Sequence, residues 1–174
     1  MTASELAGRF EHIYGSVPRI FRAPGRVNLI GEHTDYNDGY VMPAAIGFFT
    51  QVAIAPRSDR KLVVRSEEFE RDFEFDLDHL PQSRVGAWCD YVLGVASVLQ
   101  QEGHALRGAN LLVRGEVPIG AGLSSSAAVE VASGWPPTSR SSRAARLCPS
   151  SCSRPISRPT ARCKWPGGPT SRTH

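Results

Sequence analysis

No acidic residue follows Glu130. All 17 Asp and Glu lie at or before that position beside 12 Lys and Arg, a net charge of −5; the rest holds seven Arg and one Lys, a net +8. Such an imbalance marks either a nucleic-acid-binding tail or a segment never selected as protein. Nucleic acid is the poorer fit: residues 134–174 offer two aromatics, Trp135 and Trp165, and no base-recognition motif, so no nucleic-acid partner is expected. The same 41 residues lack Val, Phe, Tyr and Met while holding seven Pro and eight Ser. That composition cannot bury enough surface to offset the entropy of ordering. Residues 134–174 are therefore expected to be a disordered basic Pro/Ser/Arg tail, with a displaced reading frame as its origin. The junction "GWPPTS" (134–139) admits codons that, moved back by one base, contain Leu-Ala-Ala-Asp-Val, a good continuation of the helix before it.

Long apolar runs are missing as well. Nothing approaches the roughly 18 consecutive apolar residues of a membrane span, and Met1–Phe10 has no basic start leading into an apolar stretch. A cytoplasmic protein without a membrane partner is expected. Cysteine is scarce: of four, only Cys89 precedes the tail, and Cys148, Cys152 and Cys163 have no His nearby before His174. Unpaired thiols fit this spacing better than a zinc site.

What is present before residue 134 reads as one mixed α/β domain, 1–133, of ordinary composition. "RIFRAPGRVNLIG" (19–31) starts as a short strand that Pro24–Gly25 is expected to break with a turn. "FFTQVAIAP" (48–56), "KLVVRS" (61–66) and "ANLLVRGEV" (109–117) are strands by their β-branched and aromatic content. "RDFEFDL" (71–77) alternates Phe73, Phe75 and Leu77 on one face, and "EEFE" (67–70) is a charged turn before it. In "WCDYVLGVASVLQQEG" (88–103), Trp88, Val92, Val95 and Leu99 recur at helical spacing and Gly103 closes the run.

Two clusters carry chemistry. "PIGAGLSSSAA" (118–128) supplies Gly120 and Gly122, which let backbone N–H groups approach an anion without a Cβ in the way. Ser124, Ser125 and Ser126 then lead into a small-residue helix over 127–132, whose N-terminus favours phosphate. A serine hydroxyl there can ligate the magnesium that accompanies ATP; a plain Gly/Ser helix cap is the competing explanation. No Lys follows the second glycine, so this is not a P-loop. The second cluster, "APGRVNLIGEHTDYNDGYVMP" (23–43), packs Arg26, Glu32, His33, Asp35, Asn37 and Asp38 into a short span beside two turn glycines, Gly31 and Gly39. Such a density of donors and acceptors suits the hydroxyls of a sugar, since a buried acceptor is left unpaired when the hydroxyl is missing. Arg26 can stabilise charge on a transferring phosphoryl group.

"GRVNLIGEHTDYNDGYVMP" resembles the galactokinase signature, and "VPIGAGLSSSAA" resembles the second motif of the wider GHMP family of galactokinase, homoserine, mevalonate and phosphomevalonate kinases. The resemblance covers about residues 10–133. It implies a two-layer α/β (α+β) mixed-sheet N-terminal domain, like domain 2 of ribosomal protein S5, and an enzyme using ATP and Mg2+ to phosphorylate galactose. By the same resemblance Glu32, His33, Thr34 and Asp35 line the sugar loop. Gly120, Ala121, Gly122, Leu123, Ser124, Ser125 and Ser126 wrap the nucleotide, and Ser126 reaches magnesium. Arg26 stabilises the transition state. Trp88 lies in the family's segment beside the adenine, or else packs in the core.

Members of this family carry a catalytic Asp and a magnesium-binding Glu after the glycine loop. Neither has a counterpart beyond Glu130. The expectation is a chain lacking its C-terminal domain and its activity, monomeric if folded; a non-catalytic galactose- and ATP-binding sensor is the alternative.

Overall fold

Leu62 and Val64 are buried between the more exposed Lys61, Val63 and Arg65, the two-residue period of a strand with one covered face. At 52–55 and 111–113 the pattern differs, because every consecutive residue is buried. Successive side chains of a strand point to opposite faces, so these two strands must be covered on both sides. The computed structural model, which describes residues 2–31, 34, 37, 39–69 and 71–134, shows how.

Its elements are α1 (Ala3–Tyr14), β1 (Arg19–Ile30), β2 (Met42–Pro56), β3 (Lys61–Ser66), β4 (Asp72–Asp76), α2 (Asp90–Gln101), β5 (Ala109–Gly115) and α3 (Ser125–Ser133). The strands form one five-stranded sheet in the order β1-β2-β5-β3-β4, antiparallel except for the parallel β3–β5 pair. On one face Val52, Ile54, Leu62, Val64, Leu111 and Val113 pack with Val92, Leu93 and Ala96 of α2 and Ala128 and Ala132 of α3. On the other face Ala53, Ala55 and Leu112 pack with Leu6 and Phe10 of α1. The mixed sheet and α/β class are as expected, and α1 is an addition to them.

α1 begins with a reciprocal capping box, in which the Glu5 side chain accepts the Thr2 backbone N–H at 2.9 Å, and ends at Gly15 in the left-handed region. An ion-pair cluster holds its outer side: Arg9 of α1 and Arg114 of β5 both reach the buried Glu67 carboxylate, at 3.3 and 2.5 Å.

Two sequence expectations need correction. Pro24–Gly25 does not break the first strand; β1 runs through it to Ile30, and the irregularity is absorbed as a register shift between Pro24 and Arg26. Pro24 is tolerated because β1 is an edge strand. The predicted helix over 88–103 starts later, at Asp90, whose carboxylate accepts the backbone N–H groups of Val85 and Gly86. Trp88 and Cys89 form the turn before it.

Candidate active site

The glycine loop follows directly from the end of β5. Gly115 N–H donates to the Glu68 carboxylate at 3.0 Å and Glu116 N–H to the Phe49 carbonyl at 2.8 Å, which fixes where the loop starts. Gly120 and Gly122 have φ of 75° and 71°, a region that L side chains avoid. A Cβ on either would meet nothing within 4 Å, so these glycines are required by backbone conformation and face open space. Ser124 adopts the same left-handed conformation, φ 60°, and its side chain does not cap α3. The first N–H groups of a helix have no intrahelical acceptor. The chain thus presents two glycines in the left-handed region, three serines and a helix N-terminus without a side-chain cap. Those features fit a phosphate group. Ser126 sits in the first turn of α3, partly exposed.

β1 approaches this loop closely. Arg26 N–H donates to the Leu123 carbonyl at 3.0 Å, while the Arg26 side chain is exposed. The strand carrying Arg26 and the glycine loop therefore form one unit.

Beyond β1, Thr34 organises the loop expected to hold the sugar. Its hydroxyl contacts the carbonyls of Gly31 at 2.7 Å and Tyr40 at 3.1 Å, and Gly39 N–H donates to its carbonyl at 2.9 Å. Gly31 and Gly39 have no room for a Cβ: one at Gly31 would lie 2.3 Å from the Tyr40 oxygen, and one at Gly39 would lie 2.6 Å from the Thr34 Cβ. Thr34 holds the two ends of the loop together, with its hydroxyl proton committed to backbone. Glu32, His33 and Asp35, the expected sugar ligands, lie outside the described residues, as does Asp38.

Trp88 packs in an aromatic cluster, stacked on Phe69 at 6.3 Å and edge-on to Phe73 at 6.0 Å. Its Nε1 is buried without a hydrogen-bond acceptor, an unused donor. Next to it the Cys89 thiol is buried, which with Asp90 nearby pushes its pKa up to about 11. On α3, burial raises the pKa of Glu130.

Magnesium finds no ready-made protein cage. Among the described residues no three His, Cys, Asp or Glu side chains gather where they could hold a metal ion. Among the described residues no helix is long and apolar enough to cross a membrane.

Sequence reasoning located the glycine loop and the signature strand but not their hydrogen bond, which joins residues almost a hundred positions apart. The one available signal was Gly25, a glycine inside a strand, which marks a bulge or a close backbone approach.

Comparison with known proteins matches the two clusters separately. The galactokinase galactose-binding signature matches residues 8–56, and the GHMP kinases N terminal domain matches residues 90–135. The galactokinase of Chloroflexus aggregans is 52% identical over 133 residues, covering 76% of this chain and 34% of that protein. The galactokinase of Staphylococcus carnosus is 40% identical over 136 residues, covering 76% and 35%. The chain thus spans about a third of the length of the curated relatives it matches. Among solved structures, Lactococcus lactis galactokinase complexed with galactose superposes with a TM-score of 0.71 at 41% identity, over 75% of this chain and 35% of that one. Methanococcus jannaschii mevalonate kinase, at 20% identity, TM-score 0.57 and coverage of 69% and 39%, shares the fold. With both family models on one sheet and the galactokinase identity running alongside them, the matched part of this chain is similar to the N-terminal part of galactokinases of the GHMP kinase family.

Proposed function

We propose that this sequence derives from an enzyme that transfers the γ-phosphoryl group of ATP to the anomeric hydroxyl of D-galactose, giving galactose 1-phosphate and ADP in the cytoplasm. The observation that carries it is the match of the galactose-binding signature to residues 8–56, the stretch holding every expected sugar ligand. In this scheme Glu32, His33 and Asp35 accept and donate to sugar hydroxyls, and Thr34 keeps their loop closed. Gly120–Ser126 surround the phosphates with backbone N–H groups, and Trp88, its ring held by Phe69 and Phe73, packs in the core beneath the segment that the resemblance places beside the adenine. Arg26 stabilises charge on the phosphoryl group in flight. Bound magnesium supplies neutralisation of phosphate charge, with Ser126 as its protein contact. Most of the rate enhancement comes from positioning and electrostatics, as in phosphoryl transfer generally.

The proton leaving the sugar hydroxyl needs a base, and residues 131–174 contain no carboxylate to serve. We infer that the 174-residue chain itself does not turn over, and that residues 134–174 are read from a displaced frame. The acidic residues, the apolar periodicity and the family matches all give out within a few positions of Gly134. Two measurements test this. Incubation of the chain with galactose and MgATP should produce no galactose 1-phosphate above a protein-free control; product above that control overturns the inference of inactivity. Sequencing the gene across the Gly134 codon should reveal a second frame that continues the helix and supplies the missing acidic residues. If no frame does so, the tail is genuine protein.

A further inference from the structure

Gly25 is buried in β1 and faces three groups at once. A Cβ there would lie 2.9 Å from the Leu123 carbonyl oxygen, 2.9 Å from Ile46 Cδ1 and 3.0 Å from Val117 Cγ1. The two side chains could yield, but the carbonyl belongs to the glycine loop's own backbone. Next along β1, Arg26 turns its N–H away from β2 and toward that carbonyl. β1 is at the sheet edge, where outward N–H groups otherwise face solvent. The register shift between Pro24 and Arg26 falls at this point, and the irregular pairing aims the Arg26 N–H at the loop.

We propose that Gly25 is a positioning residue. By leaving no Cβ, it lets Leu123 dock on Arg26, so the strand that carries the sugar signature sets the position of the phosphate loop. The contact joins the two regions matched by the two family models, 8–56 and 90–135. It locates the loop relative to β1 even though the residues between Glu116 and Ser124 belong to no helix or strand. The role of the loop as a nucleotide site rests on the proposed function above; the docking itself does not.

The test is residue-resolved amide hydrogen exchange on the 174-residue chain. In the native protein the Arg26 amide should exchange about tenfold more slowly than an exposed edge amide, as loss of one backbone hydrogen bond to a loop would imply. Exchange as fast as an exposed amide overturns the proposal without any variant. In Gly25→Ala, Arg26 and the amides of 119–124 should speed up about tenfold, while Leu6 and Phe10 in α1 keep their native rates. Unchanged exchange in 119–124 overturns it. The double variant Gly25→Ala with Ile46→Ala separates the two clashes, because it relieves the side-chain contact and leaves the carbonyl contact. The loop should stay fast; restored protection would show that core crowding was the cause and overturn the docking role. Addition of MgATP to the native chain provides an independent arm. Loop amides of 120–126 that do not shift would refute the nucleotide assignment, whereas the exchange results alone decide the docking.

Discussion

Phe10→Ala tests whether α1 is part of the domain or merely leans on it. The Phe10 side chain is fully buried, and its ring lies 4.7 Å from that of Tyr14 at an angle of 50°. It shares its cluster with Leu6, Ala53, Ala55 and Leu112. The three residues from the sheet in that set are two alanines and one leucine, so they cannot swing in to fill the space a ring leaves. A buried Phe→Ala change where the surroundings cannot collapse costs about 3–5 kcal/mol. Against a domain stability of about 5–15 kcal/mol, that is a large fraction. With a urea slope of about 2 kcal/mol per molar, the unfolding midpoint should fall by about 2 M. The assay is urea denaturation followed by far-UV circular dichroism and by near-UV signal from the aromatic cluster around Trp88, on the opposite face of the sheet. If the midpoint moves by less than about 0.5 M, or only the helical signal melts early while the aromatic signal holds, the second core does not support the sheet and the reasoning is refuted.

Alkaline pH should destabilise the fold. Burial lifts the Cys89 thiol from 9.0 to about 11 and, with Asp72, the Tyr14 phenol from 10.0 to about 12. The unfolded chain therefore releases these protons first: stability is intact below about pH 9 and is lost as pH rises through 11 and 12. Equal urea midpoints at pH 8 and pH 10.5 would contradict this. Glu130 sits in surroundings that disfavour its charge, so Glu130→Gln should raise the melting temperature at neutral pH, and a lower one would point to an unrecognised role for the carboxylate. In a protein completed in the proposed second frame, Asp35→Ala should reduce kcat/KM for galactose by about 2–4 kcal/mol in transition-state terms with little change in ATP affinity. A change of only a few-fold would remove Asp35 from the sugar site.

The strands with strong local patterns were legible. "KLVVRS" is β3 to the residue, and the Phe73/Phe75 alternation of β4 is seen in their stacked rings at 6.2 Å. β2 reads from Phe48 but begins at Met42, because its first residues form a largely exposed arm paired with β1 in which Pro43, Ala44, Ala45 and Gly47 carry little strand propensity. α1 was missed despite available signals: Thr2 and Glu5 make the capping box, and Leu6, Phe10 and Ile13 recur at helical spacing. At the site, the need for positive φ at Gly120 and Gly122 was legible, since glycine is the residue that adopts it without strain. The docking of Leu123 on Arg26 was not. It depends on a tertiary approach that no local pattern encodes, and Pro24–Gly25, the nearest clue, points by itself to a turn.

The position of β5 bears on how such a chain is made. β2 and β3 are consecutive in sequence, separated by a four-residue connection (57–60), yet they are not neighbours in the sheet. The slot between them is filled by residues 109–115, antiparallel to one side and parallel to the other. During translation, Val52, Ile54, Leu62 and Val64 leave the ribosome with their inner edges unpaired. They must wait until β5 is complete at Gly115, 49 residues after Ser66. Open edges with apolar side chains are the form in which nascent chains aggregate or recruit chaperones. For this topology the vulnerable interval ends with the emergence of a single late strand, so a pause that holds residues 109–115 inside the ribosome should lower the yield of soluble protein more than a pause after they have emerged.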